Sequence, residues 1–315
     1  MLRLIGWRLP QMALSLALLS LLAWLAIGLM PGDPVSLAAL NDPHLTAEDV
    51  ARLRALHGLD QPLLLRWWAW AQAVLRGEFG YSRLYARPAA QILLPALRST
   101  LELLGAALLL SAGLGVAMGM LAALRPRLAP AVEAVAILGQ SVPVFWLAIL
   151  AILLFAVRLG WLPAGGTAEA GWPAEWRFAL LPVVTLAFHG LAAYARHTAA
   201  AMRGVLGQNF ILAARARGAG GARIAWTHAF PNAAIPVLVI AAVDVGALVS
   251  GALVTETVFA RPGMGKLLYD AVMGNDYNLA LLALLLVALV TMLATLGADL
   301  LQQALDPRLR GEEPR

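Results

Sequence analysis

Long apolar runs separated by shorter polar connections make up most of this chain. The first run, residues 9–30, would extend about 33 Å as an α-helix, which is enough to cross the hydrocarbon core of a bilayer. The other runs cover roughly residues 99–124, 131–157, 179–201, 235–255 and 279–303. The pattern therefore predicts an all-α polytopic membrane protein with six transmembrane helices.

Small and helix-breaking residues interrupt two of these runs. Gly115 and Gly119 stand four residues apart in the second run, a spacing that lets a neighbouring helix approach closely. We interpret this pair as internal packing. Pro143 lies inside the third run and has no backbone N–H to donate, so that run is expected to kink or break.

The segment 31–97 is the only long polar stretch of the chain. Its first part has a candidate N-cap at Thr46 and a helix-ending glycine at Gly58. A second helical pattern follows and carries three closely spaced tryptophans, Trp67, Trp68 and Trp70. Because indole rings favour the membrane interface, we expect this segment to lie on the membrane.

Four parts follow from this pattern. They are a cytoplasmic N-terminus with the first helix at 1–30, an extracytoplasmic or interfacial loop at 31–97, a transmembrane core with helices two to six at 98–305, and a cytoplasmic tail at 306–315. The first helix is expected to be retained rather than cleaved, because its apolar stretch is long and ends without a small-residue cleavage site.

Composition and charge support a membrane location. Hydrophobic residues make up 61% of the 315 residues and charged residues only 13%, far from the surface composition of a soluble domain. The basic excess comes almost wholly from arginine. Near a bilayer, arginine contacts lipid phosphates and sets the orientation of the chain, so a nucleic-acid partner is not expected. There is no cysteine, and thus no thiolate metal site.

The distribution of basic residues predicts the orientation of the chain. An excess of arginine marks the cytoplasmic side of short connections. The connections on the side of the termini hold Arg125, Arg127, Arg196, Arg203, Arg215, Arg217 and Arg223, whereas the opposite short loops hold Arg158, Arg177, Arg261 and Lys266 beside several acids. Both termini are therefore expected to be cytoplasmic.

The basic loop at 203–236 interrupts the apolar pattern most sharply. Its residues 210–217 suit a short helix rich in alanine, and Gly218 then allows a sharp exit because glycine takes the left-handed backbone. A short stiff helix lying across the ends of two spans could transmit a rigid-body push.

This loop resembles the cytoplasmic signature of ABC importer permeases, Glu-Ala-Ala-x3-Gly-x9-Ile-x-Leu-Pro. Aligned on Gly218, the paired alanines fall on Ala213 and Ala214. Leu212 stands where the broad form has glutamate, and His228 stands where it has isoleucine. The dipeptide/oligopeptide/nickel branch is more similar, because its ARAKG and HALRNALIP sequences correspond to ARARG at 214–218 and HAFPNAAIP at 228–236.

Further motifs extend the resemblance over essentially the whole chain, in the family's order. They are PGDP at 31–34, HGLDQPL at 57–63, RGEFGYS at 76–82, STLEL at 99–103, SVPVFWL at 141–147, AVRLGWLPAGG at 156–166, ETVFARPGMGKLL at 256–268, NDY at 275–277 and LDPRLR at 305–310.

The resemblance implies a role and a set of partners. The chain would be one of two permease subunits in a bacterial inner membrane, with a second homologous permease, two cytoplasmic ATPase subunits and an extracytoplasmic solute-binding protein. The family's coupling helix would fall on residues 209–221, with the ATPase-coupling positions Ala213, Ala214, Arg215, Ala216, Arg217 and Gly218. ATP and Mg²⁺ would bind to the partner ATPases, and no cofactor is expected on this chain.

Ionisable residues inside spans are functional candidates by default. Asp244 and His189 lie deepest and depart from the family's usual residues, so they are candidates for the translocation path. For Asp244, a structural hydrogen bond to a neighbouring helix is the alternative. The others, Glu102, Glu133, Glu256 and Asp299, lie near predicted span ends, where contact with water or headgroups is expected.

Two other classes of protein fit less well. A stand-alone proton-coupled secondary transporter could use Asp244 and His189 as a relay, but it would leave the basic loop without a purpose. A membrane-embedded enzyme lacks a motif: Gly263–Lys266 hints at a phosphate-binding loop, yet Ala260 and Leu267 stand where that loop needs glycine and Ser or Thr. The transported solute stays open among dipeptides, oligopeptides, nickel complexes, opines and oligosaccharides.

Overall fold

The computed structural model describes residues 2–28, 46, 48–49, 52, 60–167 and 175–305, without the side chains at 2–3, 175, 235–236, 242–250 and 305. Helices dominate these ranges. They are α1 (Leu2–Gly28), α2 (Leu63–Leu75), α3 (Ala89–Leu124), α4 (Ala129–Ser141), α5 (Val144–Ala151), α6 (Glu175–Leu206), α7 (Asn209–Ala216), α8 (Phe230–Val258), α9 (Met264–Met273) and α10 (Tyr277–Leu305).

Shorter elements join these helices. A small antiparallel hairpin pairs β1 (Tyr81–Ser82) with β2 (Arg87–Pro88). The remaining pieces are a 3₁₀ turn at Pro126–Leu128, a helical turn at Gly221–Arg223, and π-helical stretches at Ile152–Arg158 and Ile224–Ala229.

Several helices have the length and apolar composition of membrane spans. In the described part of the chain these are Leu4–Gly28, Ala89–Leu124, Trp176–Leu206 and Tyr277–Ala304, and a bent pair, Pro126–Ser141 with Val144–Arg158, adds a fifth if it counts as one span. The predicted fifth run falls in α8, where most of the central side chains lie outside the described residues. The prediction of a helical membrane protein is confirmed, whereas the number of six spans stays a prediction.

The bend between α4 and α5 has its cause at Pro143. Val142 has extended backbone angles, φ −89° and ψ 123°, and Pro143 immediately precedes α5. A residue before proline disfavours the helical conformation, so α4 ends there and α5 continues at an angle of 101°. The predicted interruption of the third run is confirmed as a break.

The chain divides into two compact units, one with residues 1–8, 96–266 and 290–315, the other with residues 9–95 and 267–289. In the first unit, α6 packs against α3 at Gly115 and Gly119. A Cβ atom at Gly119 would overlap the carbonyl oxygen of Ala195, and one at Gly115 would overlap the Tyr194 side chain. The predicted packing role of both glycines is confirmed, because only glycine permits this close approach.

In the second unit, α2 lies against the end of α1. The indole Nε1–H of Trp24 donates to the Leu63 carbonyl oxygen at 3.1 Å, and Trp67 Nε1–H donates to Ser20 Oγ at 3.1 Å. The rings of Trp24 and Trp70 are 5.6 Å apart, centroid to centroid. The tryptophans therefore attach this helix to α1.

The predicted cap at Thr46 is confirmed. Its hydroxyl accepts a hydrogen bond from the Asp49 N–H at 3.2 Å, and the Asp49 carboxylate accepts from the Thr46 N–H at 3.0 Å. This reciprocal pair satisfies two backbone donors at a helix start, and the hydrogen bonds from Thr46 lower the pKa of Asp49. The predicted helix end at Gly58 lies outside the described residues.

Candidate functional site

The basic loop contains the predicted short helix, α7, and a defined end. Gly218 has a φ of +83°, in the left-handed region that favours glycine. Its N–H donates to the Arg215 carbonyl at 2.9 Å, and the Ala219 N–H donates to the Ala214 carbonyl at 3.1 Å. These two bonds form a Schellman motif, which closes the last turn of α7 and turns the chain away.

One side of α7 is buried against the ends of two long helices. Ile211 is fully buried in an apolar cluster with Met120 of α3 and with Met202 and Val205 of α6. The cluster continues into the segment that follows α7, through Ile224, Ala225, Ala229 and Ala233. The buried cluster therefore packs α7 onto the ends of α3 and α6.

The other side of α7 is exposed. Leu212 is 56% exposed. Ala213, Arg215, Ala216, Arg217 and Gly218 are exposed as well, as are Asn209 and Phe210 at the start of the helix. An apolar residue and two arginines thus share one accessible surface.

Ala214 differs from the other proposed coupling positions. Only 2% of it is exposed, and it lies on the buried side of α7 with Ile211. Ala214 as an ATPase-coupling position stays a prediction, and its side chain is not on the exposed side of α7. Its small size instead allows α7 to lie close to the helices beneath it.

His189 makes a contact between helices. Its Nδ1 lies 3.1 Å from the carbonyl oxygen of Gly139 in α4. A Cβ atom at Gly139 would come within 2.6 Å of the Phe188 carbonyl oxygen, so α4 and α6 cross closely here. His189 therefore bridges α4 and α6. The side chain of Asp244, in α8, lies outside the described residues, and a place for both on a translocation path stays a prediction.

Three of the acids assigned to span ends have basic partners. Glu102 pairs with Arg98 at 2.8 Å on an exposed helix face. Glu133 of α4 pairs with Arg196 of α6 at 2.9 Å, and Arg196 also donates to Gln140 Oε1 at 2.7 Å. Asp299 pairs with Arg8.

Glu256 departs from the expectation of contact with water or headgroups. It is fully buried, with 0% of its surface exposed. Its Oε1 accepts a hydrogen bond from the Thr100 hydroxyl at 2.5 Å, and its Oε2 accepts from the Gly265 N–H at 2.7 Å. The Thr100 oxygen in turn accepts from the Met264 N–H at 2.8 Å. That expectation was wrong, because the turn after α8 folds back over the carboxylate.

Glycines make this fold-back feasible. A Cβ atom at Gly263 would overlap the Glu256 carboxylate, and one at Gly265 would overlap the backbone of Leu253. The Gly-Met-Gly sequence that superficially suggested a phosphate loop is thus the cover of a buried carboxylate. The position of Glu256 near a predicted span end did not reveal this cluster. The only signal in the sequence was that Thr100 and Glu256 both lie in motifs shared with the ABC importer permeases.

Asp276 forms a second buried polar centre, in the other unit. Its Oδ2 accepts hydrogen bonds from the Ser82 hydroxyl at 2.5 Å and from the Leu84 N–H at 3.0 Å. Its Oδ1 accepts from the Leu279 N–H at 3.2 Å, which caps the start of α10. Asp276 therefore joins the RGEFGYS and NDY motifs, which are far apart in sequence.

These features define a class of protein: a polytopic helical membrane protein whose basic connecting loop is packed onto the ends of two long helices. Comparison with known proteins specifies it further. Residues 115–311 match the family of binding-protein-dependent transport system inner membrane components. The chain belongs to this family, and the resemblance to ABC importer permeases is confirmed.

Full-length relatives are similar over nearly the whole chain. A probable peptide ABC transporter permease of Sinorhizobium fredii is 35% identical over 96% of this chain and 97% of its own length. A di/tripeptide transport system permease of Pseudomonas aeruginosa is 34% identical over 92% and 94%. A glutathione transport system permease of Escherichia coli is 34% identical over 94% and 95%.

A solved structure shares the fold. One chain of the MetNI methionine ABC transporter, solved in inward-facing conformations, matches with a TM-score of 0.58 and 20% identity over 70% of this chain and 98% of its own. This likeness supports a shared helical architecture.

Proposed function

We propose that this chain is the membrane-spanning permease subunit of an ATP-driven ABC importer that moves peptides or similar small solutes delivered by a solute-binding protein. The observation that carries the proposal is the match to peptide and glutathione permeases over nearly the full length. The solute class rests on the names of those relatives, so it is the part that uptake measurements must decide.

The proposed topology has six spans in the inner membrane. Four are helices of sufficient length, the bent pair of α4 and α5 is a fifth, and α8 is the sixth. The excess of arginine in the connections on the side of the termini supports cytoplasmic termini. The loop with α7 then faces the cytoplasm, and the turn that covers Glu256 faces the other side.

The proposed coupling element is α7 with its two ends. Its exposed side, with Leu212, Arg215 and Arg217, would contact a cytoplasmic ATPase, while its buried side would transmit the movement to α3 and α6 through Ile211. Alternating access follows if the packed helices switch between two arrangements, because close-packed interfaces are bistable. Hydrolysis of ATP with Mg²⁺ would take place on the two ATPase subunits, and a second homologous permease would complete the pathway.

Reconstitution tests this proposal directly. In proteoliposomes that hold this chain alone, we expect no accumulation of a labelled dipeptide under an imposed proton gradient, because the chain would need partner ATPases as its energy source. Adding the second permease, the ATPases, the binding protein and ATP should start uptake. Accumulation driven by protons alone would instead favour the secondary transporter.

Gly218 tests the coupling loop. Replacing Gly218 with valine should reduce ATP-driven uptake severalfold, because a left-handed backbone costs a non-glycine residue about 1–2 kcal/mol and a β-branched residue is the least tolerant of it. The measurement is uptake and ATP hydrolysis in the assembled transporter.

The matched control for this substitution is Gly220→Val. Gly220 has a φ of −68°, and a Cβ atom added at either glycine would meet no other atom within 4 Å, so the two variants differ mainly in backbone strain. Equal uptake by the Gly218 and Gly220 variants would count against a role for the α7 end in coupling.

A further inference from the structure

The free side of α2 carries only uncharged side chains. Leu64, Leu65 and Trp68 are each more than half exposed, and Leu75 is 87% exposed. The only charged residue in this helix, Arg66, instead lies over the Trp24 ring of α1, with its guanidinium carbon 5.9 Å from the ring centroid. A helix with water on its free side would carry polar residues there and an apolar stripe inside, which is the opposite of this arrangement.

The contacts of α2 fix its position relative to α1 and α10. Trp67 donates to Ser20, which lies eight residues before the end of α1 and therefore about 12 Å along the helix axis from Gly28. Trp70 donates to Asn278 Oδ1 at 3.0 Å, at the start of the apolar helix α10. Both α1 and α10 are long enough to cross a membrane. One turn of α2 therefore contacts α1 well inside that helix, and the next contacts the start of α10.

The side of α1 opposite its contacts with α2 is apolar as well. Leu14, Leu18 and Leu22 recur at a spacing of four residues and are each at least half exposed, within a helix that has the composition of a span. In a membrane, such a leucine row faces acyl chains. Large exposed apolar surfaces of this kind need a covering partner, and inside a bilayer acyl chains cover whatever surface a second permease leaves free.

We propose that α2 is embedded in one leaflet of the bilayer, with Leu64, Leu65 and Trp68 in contact with acyl chains. The inference rests on the membrane-spanning role proposed for α1 and α10. It makes the helix a lateral anchor in the lipid.

Single-cysteine labelling tests this placement, because the chain has no cysteine of its own. Nitroxide labels are placed at Leu65→Cys and Trp68→Cys in the full chain, purified with its co-expressed partner subunits and reconstituted in vesicles of phosphatidylethanolamine and phosphatidylglycerol. Collision rates of the label with oxygen, which partitions into lipid, and with a nickel chelate, which stays in water, are then measured. At both positions we expect the collision rate with oxygen to exceed the collision rate with the nickel chelate.

Two control positions make the result interpretable. A label at Glu78→Cys, beyond the end of α2, should collide more often with the nickel chelate than with oxygen. A label at Leu18→Cys on α1 should collide more often with oxygen. If the α2 labels favour the nickel chelate while Leu18 favours oxygen, the embedding is refuted and the spanning role stands. If the nickel chelate dominates at Leu18 too, the spanning role itself fails. Low collision rates with both reagents at α2 would overturn lipid contact in favour of a protein cover.

Discussion

Replacing Gly119 with leucine should destabilise the protein by about 3 kcal/mol or more, at the upper end of the range for overpacked cores. The reason is that the atoms nearest to a Cβ at this position are mostly backbone: the carbonyl oxygen of Ala195 and the N–H nitrogen of Ala199. A backbone atom cannot rotate away as a side chain can, so α3 and α6 would have to separate. Thermal unfolding of the purified chain in detergent measures the effect.

The matched control lies on the same helix. Gly113 has no atom within 4 Å of a Cβ position, so Gly113→Leu adds the same side chain without a collision. We expect it to unfold at a temperature close to that of the unchanged protein, because leucine also has the better helix propensity. If both variants unfold alike, close approach at Gly119 does not hold α3 to α6.

Replacing Glu256 with alanine should be the second most damaging change, with an expected loss of about 3 kcal/mol. The Thr100 hydroxyl and the Gly265 N–H would both lose their acceptor in a buried place, and each unsatisfied buried donor costs about 1–3 kcal/mol. The turn over the carboxylate would also lose its attachment to α3. Unfolding temperature and proteolysis of the segment after α8 are the two measurements.

Three further variants separate this effect from a general loss of charge. Glu256→Gln keeps an acceptor oxygen and should retain more stability than alanine. Glu102→Ala removes an exposed carboxylate whose i,i+4 pair with Arg98 is worth only about 0.3–0.5 kcal/mol. Thr100→Val combined with Glu256→Ala should cost less than the sum of the two single changes, because the residues share one hydrogen bond. Additive losses would show that Thr100 and Glu256 act independently.

Features with a local cause could be predicted from the sequence. The break at Pro143 follows from the missing N–H and from the restriction on the residue before proline. The end of α7 at Gly218 follows from the ability of glycine to adopt positive φ, and the cap at Thr46 from its spacing to Asp49. Each of these depends on neighbours within a few residues, which the sequence displays directly.

Which side of α7 is buried could not be predicted in the same way. Ala213, Ala214 and Ala216 were all predicted as ATPase-coupling positions, yet Ala214 is buried while the other two are exposed. The difference arises from where α7 lies on α3 and α6, and the helix is too short and too rich in alanine for its own periodicity to show a clear apolar stripe. Ile211 is the position that holds it.

The sequence by itself determined the class of this protein. Apolar runs of bilayer length and few charges define a helical membrane protein, because the cost of burying polar groups in lipid leaves few alternatives. The motifs along the chain were sufficient to indicate the family.

Only the tertiary structure showed which polar side chains are buried and which groups they bind. Glu256 looked like a span-end carboxylate until Thr100, from another helix, and the turn at 263–265 were seen to enclose it. Asp276 likewise accepts hydrogen bonds from Ser82 and Leu84, almost two hundred residues earlier in the chain. Burial of a polar side chain depends on whether distant segments bring partners to it, and that information is held in the packing rather than in the local pattern.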